Sequence, residues 1–338
     1  MAVSIASRLD HPLLLVLLAD GELHSGEWLA KELKVSRAAV WKAVERLRAL
    51  GVEVQALPRR GYRLPNPVEL LDARRIGAEL NPQRRTRLRS LELTFEVDST
   101  NTRLLANAPP PLGLADACLT ELQHAGRGRR GRRWIAPFGA GVALSIAWTF
   151  SDGAGTLAAL SLGVGVAVAR ALARAGAQGV TLKWPNDIWL HDRKMGGVLI
   201  ELRAEASGPA HVVIGVGINV DLPAASRREI EASGVHVAAV ADACAVAPSR
   251  NLVAGAILDE VLSMLGQFER EGFAPFRDAW TALDALSGRP ARVLLGSTAV
   301  SGTACGVDQE GALLLDTGGR VQRFVSGEAS LRVIEGDM

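Results

Sequence analysis

Residues 126–133 read Gly-Arg-Gly-Arg-Arg-Gly-Arg-Arg, and hydrophobic segments flank them on both sides. Five arginines in eight positions cannot enter a core, yet the flanks must, so the spacing predicts a short loop at the edge of a packed body. Glycine lets the backbone approach a ligand closely and change conformation. Guanidinium forks pair with phosphate or carboxylate oxygens. Because its like charges repel, such a loop is expected to be loosely held when empty and ordered around a polyanionic ligand. Gly126, Gly128 and Gly131 also fit G-x-G-x-x-G, but that dinucleotide fingerprint must open a helix and works through backbone amides. Arg132-Arg133-Trp134-Ile135-Ala136-Pro137 cannot comfortably open one. A nucleic-acid-binding arginine tract is the other alternative.

Two further segments carry candidate chemistry. Lys183-Trp184-Pro185-Asn186-Asp187 reads as a turn between apolar strands, and a hairpin then sets Lys194 just before the Gly196-Gly197 step. A second glycine-interrupted apolar strand follows, Val212-Val213-Ile214-Gly215-Val216-Gly217-Ile218-Asn219-Val220. Glycines in apolar strands mark close approach of a ligand or of backbone. A lysine beside them can hold a carboxylate and stabilise charge developing on phosphate; taken alone it is equally a solvated turn residue. Upstream, the strand Leu91–Phe95 leads into Asp98-Ser99-Thr100-Asn101, where Ser99 or Thr100 can cap a helix, and capping alone accounts for the segment.

The N-terminal part has its own logic. Ser25 can cap a helix through Leu33, and Ser36 a second one from Arg37 to about Leu50, stopped by Gly51. Val40, Val44 and Leu47 make the buried stripe of the second helix, while Arg37, Ala38, Trp41, Lys42 and Arg48 lie off it. The alternating segment Val52–Leu57, the turn Pro58-Arg59-Arg60-Gly61 and the return Tyr62-Arg63-Leu64 make a basic hairpin. A helix-turn-helix followed by such a wing predicts DNA binding through Ser36, Arg37, Ala38, Trp41, Lys42, Arg59 and Arg60. A helical hairpin with a solvated charged face is the plainer alternative. Charge agrees with the first: residues 1–89 hold 16 Lys and Arg against 10 Asp and Glu, although the whole chain carries only +2. Pro65-Asn66-Pro67 reads as a linker.

From Ala291 short apolar runs alternate with glycine-rich turns, as in a small β-barrel. The run Leu13–Leu18 is too short and too closely flanked by acids for a signal peptide. The 17 uncharged residues between Asp152 and Arg170 are mostly Ala and Gly, which suits a buried helix better than a membrane span. Cys118, Cys244 and Cys305 are scattered, offering neither a disulfide framework nor a zinc site, and they fit a reducing cytoplasm. We expect a multidomain α/β (α+β) chain: a winged helix over residues 1–65, a mixed-sheet domain over 66–286, and a β-barrel over 287–338.

Taken together, the motifs resemble the bifunctional biotin–protein ligases that double as biotin operon repressors. The resemblance spans nearly the whole chain. It rests on Asp98–Asn101, Gln123–Gly131, Lys183–Asp187, Arg193–Gly197, Gly215–Asn219, Ser326–Arg332 and the two helix caps. It implies a central domain of the biotin/lipoate ligase type and an SH3-like barrel at the C-terminus. It also implies two half-reactions. The biotin carboxylate attacks the α-phosphate of ATP, giving biotinyl-5′-AMP and pyrophosphate, and a lysine of biotin carboxyl carrier protein of acetyl-CoA carboxylase then attacks the mixed anhydride.

By the same resemblance Ser99, Thr100 and Gln123 would hold the ureido ring. The loop with Gly126, Arg127, Arg129, Arg130 and Arg132 would close over biotin and phosphate. Lys194 and Arg129 would be catalytic; Gly197, Gly215 and Gly217 would leave room for the bicyclic ring. Trp134, Asn186, Asp187, Asn219 and Arg332 would serve ATP and its Mg2+, with no metal held by the protein alone. The Ala-rich segment 222–246 lacks the tryptophan expected near adenine and has Val235-His236-Val237 instead. Implied partners are the carrier protein, operator DNA and a second copy of the chain in a ligand-promoted dimer, with no membrane. A lipoate–protein ligase and a biotin sensor without catalysis are the alternatives.

Overall fold

Leu14, Leu15 and Leu18 turn the N-terminal leucine run into one buried face of a short helix, α1 (His11–Leu18). The computed structural model describes residues 11–151, 157–204, 208–295, 298–325 and 330–333. They fall into two units, the first reaching Leu70 and including Pro137–Gly139, the second holding the rest.

In the first unit the caps form as the sequence predicts. Ser25 Oγ accepts from Trp28 N–H at the start of α2 (Gly26–Glu32), and Ser36 Oγ accepts from Ala39 N–H at the start of α3 (Arg37–Ala49). Val40, Ala43, Val44 and Leu47 are buried, and Gly51 stops the chain with φ +83°. The hairpin is shorter than the alternation suggested: β1 (Gln55–Leu57) pairs with β2 (Gly61–Arg63), with Ala56 opposite Tyr62. Val52 and Val54 bury their side chains before the pairing begins.

The second unit starts with α4 (Ala73–Ala78) and α5 (Pro82–Arg85), then β3 (Leu88–Val97), α6 (Thr100–Leu105), β4 (Ala115–Gln123) and β5 (Gly141–Phe150). Next come α7 (Leu160–Arg174), β6 (Val180–Lys183), β7 (Asp187–Leu190), β8 (Arg193–Ala204), β9 (Ala210–Asn219) and α8 (Ala224–Glu231). The long α9 (Arg250–Glu271) and α10 (Ala274–Leu283) follow. The strands form one mixed seven-stranded sheet in the order β3-β4-β5-β9-β8-β7-β6, in which only β3 and β4 run parallel.

One face of this sheet is closed by α7 and α9. The small residues of α7 allow close packing: a Cβ on Gly163 would stand 3.2 Å from Met264 Sδ. From Leu160 onward the uncharged run makes a buried helix, and no described helix is long and apolar enough to cross a membrane. The opposite face carries the short α6, whose Leu104 packs on Cys118, Ala147 and Val213, and the Trp134 indole lies over Gly217 of β9.

The chain ends in β10 (Pro290–Leu295), β11 (Thr298–Val307), β12 (Leu313–Asp316), β13 (Val321–Phe324) and β14 (Ser330–Val333), an antiparallel sheet ordered β13-β12-β11-β10-β14. Ala291, Val293, Ala304, Leu313, Leu315 and Phe324 join the same hydrophobic core as α7 and α9. The small C-terminal β-domain is therefore built onto the central one.

Candidate functional site

The open face of the sheet holds a cavity of about 330 Å3. Its closed end is built where two strands stop together: Val97 of β3 lies beside Gln123 of β4 in register, and α6 begins three residues after Val97. Thr100 N–H donates to Gln123 Oε1 at 3.0 Å, and the Thr100 hydroxyl reaches the same oxygen at 3.3 Å. Ser99 occupies the N-cap of α6 but makes no side-chain capping bond, so capping does not account for this motif. Beneath them Ser145 of β5, fully buried, lies 2.7 Å from Thr100 Oγ1 and donates to Asn101 Oδ1. The other end of the Asn101 carboxamide donates to Glu201 of β8 at 2.8 Å.

The other end of the cavity is cationic. Between β7 and β8, His191 and Asp192 both have positive φ, and this tight turn places Lys194 back beside Asp187. Lys194 Nζ donates to Asp187 Oδ1 at 2.7 Å. Asn186 Nδ2 donates to Val198 O at 2.7 Å, which leaves Asn186 Oδ1 to face Arg129 at 3.4 Å. Burial, and then the neighbouring Arg130 charge, push the Arg129 guanidinium below its ordinary pKa; Asp187 opposes them and Arg132 adds to the fall. A half-buried guanidinium among others has a strong electrostatic demand for an anion. The whole turn is anchored from behind, since Trp184 Nε1 donates to Gly311 O at 3.1 Å and Ser161 Oγ donates to Pro185 O.

The Gly-Arg segment joins the two ends. It leaves β4, makes one turn of 3-10 helix at Arg129–Gly131 with Arg130 at φ +58°, and returns through an Arg127–Arg133 bridge to Trp134. A strand, β5, follows it rather than a helix, which removes the dinucleotide-fingerprint reading. Trp134 N–H donates to Gly126 O, and Arg127 Nη2 donates to Thr102 Oγ1 and to Glu201 Oε2, each at 3.0 Å. A third wall is supplied by residues 230–237. Lys194 N–H donates to His236 O and Ala238 N–H donates to Lys194 O, so Val235-His236-Val237 runs alongside the lysine.

Of the residues expected to bind biotin or ATP, Ser99, Thr100, Gln123, Arg127, Arg129, Arg130, Arg132 and Trp134 line this cavity. So do Asn186, Asp187, Lys194, Gly197, Gly215, Gly217 and Asn219. Gly126 sits just behind the wall, where a Cβ would meet Trp134 O at 2.5 Å. The Arg332 side chain and residues 326–329 lie outside the described residues.

Two of the glycines act differently from the expectation. The space left by Gly215 is filled by the Asn101 carboxamide, and that left by Gly217 by the Trp134 indole. At Gly197 a Cβ would stand 3.5 Å from Lys194 Nζ, an ordinary contact distance. The sequence reading gave no role to Asn101, Ser145, Glu201 or Lys183, whose ammonium lies 4.3 Å over the Trp189 ring. A signal existed for two of them: Ser145 interrupts the apolar run Val142–Trp148 and Glu201 the apolar run Val198–Leu202.

In the first unit Arg37, Ala38, Trp41, Lys42, Arg59 and Arg60 are all exposed, Trp41 by 54%. Ser36, also exposed, accepts from Ala39 N–H at the cap. Arg48, off the buried stripe by sequence, folds back and donates to Val54 O and to Glu45, so it braces the helix against the hairpin.

Residues 8–63 match an HTH domain, residues 95–219 the Biotin/lipoate A/B protein ligase family, and residues 286–332 the Biotin protein ligase C terminal domain. The chain is 40% identical to the bifunctional ligase/repressor BirA of Escherichia coli (strain K12) over 95% of its own length and 97% of that protein. It is 30% identical to the protein of the same name from Bacillus subtilis (strain 168), covering 93% and 95%. Among solved structures, the biotin protein ligase from Aquifex aeolicus in complex with biotin and ATP superposes with a TM-score of 0.59 at 25% identity. That match covers 73% of this chain and all of that one. With a ligase-type sheet and cavity, an exposed helix-turn-helix and relatives aligned from end to end, the chain belongs to the family of bifunctional biotin–protein ligase/repressors.

Proposed function

We propose that the cavity binds biotin at the Thr100–Gln123 end and the phosphates of ATP at the Lys194–Arg129 end, and joins them there. The observation that carries this reading is the polarity of one cavity: a neutral hydrogen-bonding end, an apolar middle of Ala143, Gly217 and the Trp134 indole, and a cationic end. A ureido ring, an aliphatic tail and a carboxylate present the same three chemistries in that order. Both half-reactions have competent nucleophiles of their own, so the protein's work is positioning and charge stabilisation.

In the first step a biotin carboxylate oxygen bonds to the α-phosphorus while the bond to the pyrophosphate oxygen breaks. Arg129 and Lys194 hold the two anions together against their repulsion. In the second step the carrier lysine, as free amine, bonds to the acyl carbon; AMP leaves and a proton is lost. Lys194 then stabilises the departing phosphate. Its present partner Asp187 marks where an anionic oxygen sits best, and the substrate oxygens replace or share that contact.

Asp187 Oδ1 is taken by Lys194, and no cluster of three metal-binding side chains exists among the described residues. One carboxylate beside the Asn186 oxygen suits Mg2+, which keeps waters and takes most of its charge from substrate phosphates. Asp187 and Asn186 would hold it, and it would neutralise phosphate charge. The acceptor we assign is biotin carboxyl carrier protein of acetyl-CoA carboxylase, and the compartment the cytoplasm. DNA binding by the winged helix would be the second activity, directed at the operator of biotin-synthesis genes.

The deciding measurement is ATP–pyrophosphate exchange by the full chain, run with biotin and with lipoate, followed by transfer to an acceptor domain. Exchange that requires biotin and does not respond to lipoate is expected. Exchange with lipoate would overturn the substrate assignment, and binding of biotin without exchange would leave a sensor that lacks catalysis.

A further inference from the structure

Glu201 stands out on β8 as an acid within Val198-Leu199-Ile200-Glu201-Leu202. Its side chain is only 25% exposed. Partial burial of a carboxylate is costly unless hydrogen bonds compensate it, and here one oxygen, Oε2, receives two. The first comes from Arg127 Nη2 at 3.0 Å, out of the Gly-Arg loop. The second comes from Asn101 Nδ2 at 2.8 Å, out of α6. Asn101 is 3% exposed, and its Oδ1 accepts from Ser145, the residue that also touches Thr100 Oγ1.

A continuous chain of polar contacts therefore runs from the first arginine of the loop, through Glu201, Asn101 and Ser145, to Thr100 and Gln123. Gly215 makes the chain possible, because a Cβ there would stand 2.5 Å from Asn101 Oδ1. Arg127 also bonds Thr102 on α6, so the loop is fastened to the helix that carries the ring-binding hydroxyls and to the strand beneath it.

We propose that Glu201 is a positioning residue for biotin: it clamps Arg127, and with it the Gly-Arg loop, to the Asn101–Ser145–Thr100 set that orients the ring-binding groups. The proposal rests on the reading of the cavity as the biotin site. Two consequences distinguish it from a role in folding alone. Glu201 acts on the ligand through Arg127, so its effect depends on that arginine. It also acts on how long the loop stays shut, so the effect falls on ligand residence.

The test compares the full chain with Glu201→Gln, Arg127→Ala and the double variant, measuring biotin binding and dissociation together with biotinylation at saturating biotin. Glutamine keeps the shape and an acceptor oxygen but loses the charge assistance that strengthens the bond to arginine. Glu201→Gln is expected to weaken biotin binding roughly tenfold, mostly through faster dissociation. The same change made in Arg127→Ala should alter affinity by less than about twofold, the scatter expected of uncoupled sites. Limited trypsin digestion gives an independent reading: with biotin bound, the loop arginines should be cut faster in Glu201→Gln than in wild type while the body stays intact.

Unchanged biotin affinity and loop protection in Glu201→Gln would overturn the proposal. An equal loss with and without Arg127 would overturn it as well. If the wild-type chain binds no biotin, the site reading itself is overturned, which is a different result from either.

Discussion

At Gly215 a single hydrogen in place of a methyl group decides whether the floor of the cavity can form. An added Cβ would stand 2.5 Å from Asn101 Oδ1 and 3.1 Å from Cγ, and Asn101, held by Ser145 and Glu201, has nowhere to retreat. Gly215→Ala is expected to cost about 1–3 kcal/mol, the usual range for overpacking a core, and to raise the biotin KM because the displaced carboxamide carries Thr100 with it. Thermal unfolding and steady-state kinetics on one preparation check both. Lys194 poses the opposite case, since its ammonium reaches into open cavity beside Asp187. Lys194→Ala should keep the fold and cut biotin-dependent pyrophosphate exchange by about 100-fold or more, the scale of losing one preorganised charge at a reacting oxygen; near-normal exchange would remove the role assigned to it. These residues were unequally legible. Lys194 announces itself by the glycine pair that follows it, and the loop by its arginines. Asn101, Ser145 and Glu201 are single polar residues 44 and 56 positions apart in sequence, and only the register of β5, β8 and β9 brings them onto one oxygen network.

Among the elements, α2, α3 and the wing form the part most fully written in local sequence, because caps, a glycine stop and a 3.6-residue stripe each act within a few residues. The hairpin is shorter than alternation from Val52 predicts: Val52 and Val54 bury their side chains, and pairing starts only at Gln55. Arg48 lies off the buried stripe, as the sequence predicts, but that position does not tell whether a long side chain points to solvent or folds back onto backbone. Different experiments separate these arginines. Arg59→Ala and Arg60→Ala, on the exposed wing tip, are expected to weaken operator binding uniformly across sequences. Each should lower the slope of log K against log salt by about 1 if it contacts one phosphate. Arg48→Ala should leave that slope unchanged and lower thermal stability, through loss of the bonds to Val54 O and Glu45. A wing variant with an unaltered slope would place the wing away from the backbone of the DNA.

For the molecule as a whole, the open question is how ligand in one unit is felt by DNA bound to the other, and the sheet offers a route. Strands β6 and β7 are four residues each, whereas β8 has twelve. Pairing with β7 ends at Gly197, so beyond Val198 the outer edge of β8 has no strand partner among the described residues. Unpaired edges are templates for pairing with another chain. Leu202 on this stretch is 47% exposed, and Glu201, between them, holds Arg127 of the loop. Biotinyl-5′-AMP that fixes the loop would therefore also fix the surroundings of an open edge, and two copies could join there about a two-fold axis. A two-fold pair of winged helices matches a two-fold DNA site, which one copy cannot. Sedimentation of the full chain with biotin and ATP should show a dimer that weakens or vanishes without them. Leu202→Asp should shift the liganded chain back toward monomer while leaving pyrophosphate exchange at saturating biotin and ATP within about twofold of wild type, because Leu202 lines no part of the cavity. A monomer at concentrations where operator DNA is bound would dispose of the dimer, and a dimer indifferent to Leu202→Asp would move it to another surface. If the edge is also where the carrier protein docks, ligase and repressor exclude each other on one molecule, and rising carrier should release the operator in proportion to the dimer it dissolves.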